Sequence, residues 1–169
     1  TDGHSDCVKF GGKQADVAVT GMALLAFLGA GQTEQFREHK EVVQRAVAWL
    51  RSIQRDDGCL FKEGETHGIG YHHGIAGLAL IEAAATGRVK ETVAAAQKAL
   101  DYSVNIHLNK ETGGWGYSAN STTSDLVVSS LYIQQLKVAK ISVFKVPAES
   151  MEGAIRFLDF VEEKANPHH

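Results

Sequence analysis

One offset organises this chain. Thr20-Gly21-Met22-Ala23-Leu24-Leu25-Ala26-Phe27-Leu28 aligns with His73-Gly74-Ile75-Ala76-Gly77-Leu78-Ala79-Leu80-Ile81, 53 residues further on. Ala46-Val47-Ala48-Trp49-Leu50 aligns with Ala99-Leu100-Asp101-Tyr102-Ser103 at the same 53, and Ala154-Ile155-Arg156-Phe157-Leu158 follows after another 55. Two segments of different character that share one offset indicate a duplicated helix pair. Such pairs bury their apolar faces only by stacking on one another.

Apolar periodicity and glycine punctuation predict six helices, over 17–28, 39–54, 73–86, 92–108, 125–140 and 147–164. Gly29 and Gly31 stop the first and Gly87 the third. Ser124 or Asp125 caps the fifth, and Pro147 opens the sixth as its first residue. The first, third and fifth are apolar on nearly every face. Val17, Val19, Met22, Leu24, Leu25, Phe27 and Leu28 leave the first no polar stripe. A helix of that kind is expected to be surrounded. The second, fourth and sixth are amphipathic: in the second, Val43, Ala46, Val47 and Leu50 stand opposite Lys40, Glu41, Gln44, Arg45 and Arg51. The expected architecture is all-α, one domain across 1–169. It is an α/α-toroid-like arc of three helical hairpins, with repeats at about 17–61, 72–117 and 124–164. Apolar helices line its inside and amphipathic helices form the outer wall.

Charge and composition narrow the function. Lys+Arg number 17 against 20 Asp+Glu, a net charge of −3, so nucleic acid is not the expected partner. No apolar run reaches the ~18 residues of a membrane span. The two cysteines, Cys7 and Cys59, cannot form a disulfide framework, and whether they pair is open. The cellular compartment is open as well.

The loops carry a resemblance. Gln54-Arg55-Asp56-Asp57-Gly58-Cys59-Leu60-Phe61 resembles the Q-x(2–5)-G-x-W loop of terpene cyclase repeats, with Phe61 near the Trp place. Asn109-Lys110-Glu111-Thr112-Gly113-Gly114-Trp115-Gly116-Tyr117 carries the Gly/Trp half of that loop, its Gln replaced by His107 or lost. With Val19 to Gly31 and Tyr71-His72-His73-Gly74-Ile75-Ala76, these motifs make residues 17–164 resemble the prenyltransferase and squalene oxidase repeat family. The likeness is to its short, poorly characterised bacterial members. The resemblance implies an α/α toroid or part of one. It does not imply catalysis, because cyclases, protein prenyltransferases and complement-type thioester domains share that fold. A complete ring in the family has more helices than the six read here. The inner helices of an open arc would then be covered by a homodimer partner, by flanking repeats, or by an apolar or isoprenoid ligand.

The chemistry such a fold can host is partly missing. The cyclase motifs D-x-D-D and D-D-x-x-D are absent, and so is the thioester G-C-G-E-Q. Protein prenyltransferases of the resembled family hold zinc with Asp, Cys and His. Asp57-Gly58-Cys59 has the D-x-C spacing, and Tyr71-His72 is similar to the Y-H that supplies the third ligand, but only 13 residues separate Cys59 from His72. As generic zinc donors, Cys59, His67, His72 and His73 lie close in sequence, without a C-x-x-C or H-E-x-x-H. Asp57, His72 and His73 are the candidate catalytic groups. Tyr71, Trp115 and Tyr117 are the candidate pocket aromatics, able to stack on an isoprenoid cation. Each has a structural alternative: a turn at Asp57, helix-end hydrogen bonding at His73, and a plug between helix pairs at Trp115. No cofactor is expected apart from this candidate zinc. Two functions stay open: a non-catalytic ligand- or protein-binding domain, and an isoprenoid-handling enzyme with an apolar pocket inside the arc. The missing acid motifs favour the first.

Overall fold

A computed structural model describes residues 16–61, 68–119 and 121–165. Among the described residues six α-helices follow one another: α1 (Asp16–Gly29), α2 (Lys40–Ser52), α3 (Ile69–Gly87), α4 (Lys90–Tyr102), α5 (Leu126–Lys140) and α6 (Ala148–Ala165). A π-helical segment, Ser103–His107, prolongs α4. No strand occurs among the described residues.

α3 is the centre of the molecule. It packs against α1 on one side, α5 on the other and α4 behind. α2 backs α1, and α6 backs α5. The apolar helices thus form an inner row, α1–α3–α5, and the amphipathic ones an outer row. α2 buries one stripe, Val43, Val47 and Leu50, as its periodicity requires. α3 buries Gly70, His73, Ala76, Leu80, Ile81 and Ala84, which lie on several of its faces.

Close approach explains the shared offset. A Cβ on Gly21 would sit 3.0 Å from the Cα of Ala76 on α3, and a Cβ on Gly74 3.1 Å from the Tyr132 ring on α5. The two glycines admit the next inner helix at successive interfaces. The loops repeat as well. Gly58 (φ +94°) and Gly113 (φ +80°) take left-handed conformations, where a side chain would collide with the carbonyl of Lys98 on α4 and of Gly153 on α6. Each loop therefore braces the outer helix of the following hairpin.

Four expectations change. α3 begins at Ile69, not 73: Gly68 makes a left-handed turn at φ 86°, and Gly70 lies inside the helix because Gly116 packs on it. Glycines that read as loop punctuation are there for close approach. α4 is α-helical only to Tyr102, because the Ser103 carbonyl accepts the Trp115 indole N–H at 2.8 Å and the last turn widens around that bond. Pro147 precedes the sixth helix instead of opening it, and its carbonyl accepts the Ser150 N–H and hydroxyl. Finally, only α3 is surrounded. Val19 and Met22 on α1 are 54% and 52% exposed, and Leu126 and Val127 on α5 are 49% and 59% exposed, because these helices end the row. Cys7 and His67 lie outside the described residues.

The link between α1 and α2 carries a buried acid. Glu34 Oε1 accepts from the Thr92 hydroxyl at 3.0 Å, while Oε2 is buried without a hydrogen-bond partner. Burial pushes the Glu34 carboxyl up; the Thr92 bond and Arg51 pull it back, and Glu91 adds to the rise. A raised folded-state pKa means that the fold favours the protonated form, so this group costs stability as pH rises through that pKa. Glu34→Gln keeps the acceptor for Thr92 and removes the charge. Thermal melts at pH 5 and pH 8 are expected to show the variant losing about 2–4 °C less than the parent between the two.

Candidate functional site

Two sides of α3 have to be told apart. The side facing α4 holds His73, which is fully buried. Its Nδ1 accepts the Leu60 N–H at 3.0 Å, which assigns the ring proton to Nε2. Nε2 lies 3.0 Å from Ser103 Oγ and 3.2 Å from the Ala99 carbonyl. Ser103 Oγ lies 2.8 Å from Gln135 Oε1, and Gln135 Nε2 donates to the Gly74 carbonyl at 2.8 Å. The chain His73–Ser103–Gln135 thus cross-links α3, the π segment and α5. A histidine beside a serine hydroxyl has the parts of a base and a nucleophile. Here the nitrogen facing Ser103 carries the proton, the other is occupied by Leu60, and both residues are sealed from solvent. The pair is a strut.

The neighbouring candidates are built in the same way. Cys59 is fully buried, and burial pushes its thiol up to about 11 against a hydrogen bond with Tyr102 that lowers it. Near neutrality it is a protonated thiol, a poor nucleophile in that form. Tyr102 also meets the His73 ring, centroids 4.7 Å apart. Asp57 closes its own turn: Oδ1 accepts the Cys59 N–H at 3.0 Å, and Oδ2 pairs with Arg55 at 2.9 Å. Gln54 ties that turn to α4, donating to the carbonyls of Gly58 and Ala95 at 3.1 and 2.9 Å. His72 stands apart, half-buried, edge-on to Phe61 at 5.3 Å. Among the described residues, no three His, Cys, Asp or Glu side chains gather as a metal-binding group.

Opposite His73, at helical spacing, α3 carries Tyr71, Ile75, Leu78 and Glu82. Tyr71, Ile75 and Glu82 are half-buried and Leu78 is buried. Ile75 abuts Gly21 of α1, next to the exposed Met22, and Leu131 of α5 packs at Gly74. This side of α3 is apolar apart from one carboxyl. Burial pushes that carboxyl, Glu82, up. Glu82 escaped the sequence reading, although it is the one charged residue between Gly74 and Gly87.

This face ends at the N-termini of α3 and α5. There the Tyr71 and Tyr117 rings meet, centroids 5.5 Å apart, and the Tyr117 hydroxyl donates to Asp125 Oδ2 at 3.2 Å. The Tyr117 phenol is pushed up to about 12 by hydrogen bonds to Tyr71 and Asp125 and by the Asp125 charge. Asp125 Oδ1 caps α5, accepting the Val128 N–H at 2.8 Å. Trp115, the third aromatic candidate, is fully buried behind them, stacked on Tyr132 at 5.2 Å and 8°. The sequence marked Asp125 only as a cap. Its second partner, Tyr117, comes from the preceding loop.

An arc of alternating inner and outer helices, braced by Gly-rich loops, defines an α/α-toroid-type repeat domain. The chain belongs to the squalene-hopene cyclase C-terminal domain family, which matches residues 8–163 and lies within the prenyltransferase and squalene oxidase repeats. No curated protein and no solved structure matches the chain. No helix among the described residues is long and apolar enough to cross a membrane.

Proposed function

We propose that this domain binds an apolar chain along the open side of its inner helix row and does no chemistry on it. One contrast carries the reading. His73, Cys59 and Asp57, which a reaction would need, are spent on helix cross-links and a turn, while Met22, Tyr71 and Ile75 are left partly exposed on the inner helix row. Membership of a squalene-hopene cyclase family supports an isoprenoid as that chain. A second reading, an isoprenoid-handling enzyme, is favoured by Glu82 alone. Its carboxyl, raised by burial in an apolar face, is the group that could hand a proton to an alkene.

Displacement of Nile red by the saturated C15 hydrocarbon farnesane tests this reading. The parent protein is expected to release the dye. Ile75→Asp, which puts a charge in the middle of the apolar stripe, is expected to weaken farnesane at least about tenfold. Absence of displacement, or an Ile75→Asp variant that binds as well as the parent, overturns the reading.

A further inference from the structure

The inner row is built on one repeated contact. A Cβ on Gly21 of α1 would meet Ile75 and Ala76 of α3, and a Cβ on Gly74 of α3 would meet Leu131 and Tyr132 of α5. Hydrogen bonds fix which positions correspond. His73 accepts the Leu60 N–H and Ser129 accepts the Trp115 N–H. Ser129 therefore stands in α5 where His73 stands in α3, and Ser130 stands where Gly74 does. In that register each helix sets a small residue on the position two beyond its equivalent in the next helix. Gly77, which meets Gln135, obeys the same rule.

Both halves of this contact are left over at the ends of the row. α5 carries the presenting half: Ser130 is half-buried, with Leu126 and Val127 beside it at 49% and 59% exposure. α1 carries the receiving half. Ala23 and Ala26 are the equivalents of Ala76 and Ala79, which are fully buried in α3, yet both are exposed. We infer that copies of this domain join head to tail, α5 of one against α1 of the next, through the contact that already joins α1 to α3 and α3 to α5. A second copy is the occupant because one chain carries both complementary halves in one register. Charge agrees with the pairing. α1 holds no charged residue from Val17 to Gly29. On the presenting face Gln134 and Lys137 take the places of Leu78 and Ile81, so this contact is looser than those within the chain. Lys137 lies in the last turn of α5 and comes level with the C-terminal turn of α1, where helix carbonyls favour a cation. The inference uses the ends of the row and is independent of the ligand reading for its open side.

One helix pair is a small interface, so a dissociation constant on the order of 10 µM is expected. Sedimentation velocity of the parent from about 1 to 200 µM is expected to show monomer giving way to assemblies. Ser130→Arg blocks the α5 face and Ala26→Arg the α1 face, and each is expected to weaken association at least about a hundredfold. Mixed in equal amounts, the two variants are expected to form a heterodimer, since each supplies the face that the other lacks. That rescue also shows that both variants fold. A parent that stays monomeric throughout overturns the inference and leaves the ligand reading standing. Ser130→Arg associating like the parent would place the contact on α1 alone, and a mixture that stays monomeric would remove the complementarity. Either result overturns the head-to-tail pairing.

Discussion

Trp115→Ala is expected to lower the unfolding free energy by about 3–5 kcal/mol, the range for an aromatic removed from a closed core. The indole is fully buried and lies flat on Tyr132, so its loss opens a cavity between α4 and α5. Its N–H is the partner of the Ser103 carbonyl, where the helix widens into its π segment. That bond would be lost. The Trp115 backbone is pinned as well: its N–H donates to Ser129 Oγ, and its carbonyl accepts from Ser129 Oγ and the Asp125 N–H. Trp115→Phe keeps most of the stacking and removes only the hydrogen bond, for an expected loss of about 1–2 kcal/mol. Urea unfolding of the three proteins at neutral pH reads both losses as shifts in midpoint at constant slope. An Ala variant within about 1 kcal/mol of the parent would remove Trp115 from the core.

His73→Ala is expected to cost about 2–4 kcal/mol. It leaves the buried Leu60 N–H unsatisfied and takes one donor from Ser103 and Ala99, besides emptying the volume of the ring. A strut and a catalytic base make different predictions in combination. Ser103→Ala breaks the same chain at its next link, so the double variant is expected to fall short of the sum of the singles by about 1 kcal/mol. Unfolding curves of the four proteins give that coupling. Strict additivity, or a His73→Ala variant as stable as the parent, would contradict the strut.

The repeat and its layering were legible because they are written in small residues and in spacing. Gly21 and Gly74 share an offset because each admits the next inner helix, and Gly58 and Gly113 share another because each braces the next outer helix. The start of α3 was not legible, since Gly68 and Gly70 look alike in sequence while one turns the chain and the other permits a contact with Gly116. Periodicity reports the faces of a helix but not whether a neighbour covers them, so α1 and α3 read alike although only α3 is enclosed. The role of His73 depends on backbone partners, the Leu60 N–H and the Ala99 carbonyl, that no side-chain motif announces. Tyr71 and Tyr117 were picked for their rings. The Tyr117 hydroxyl is held by Asp125, which the sequence offered only as a helix cap.

The central claim is that the domain holds an apolar chain without changing it. It is tested most directly by holding the protein with farnesol for a day, isolating the complex, and identifying the extracted ligand by gas chromatography. Farnesol bound to the protein and recovered intact is the predicted result. A cyclised or dehydrated product that forms with the parent protein and not with Glu82→Gln would contradict the claim and make Glu82 the acid of an enzyme.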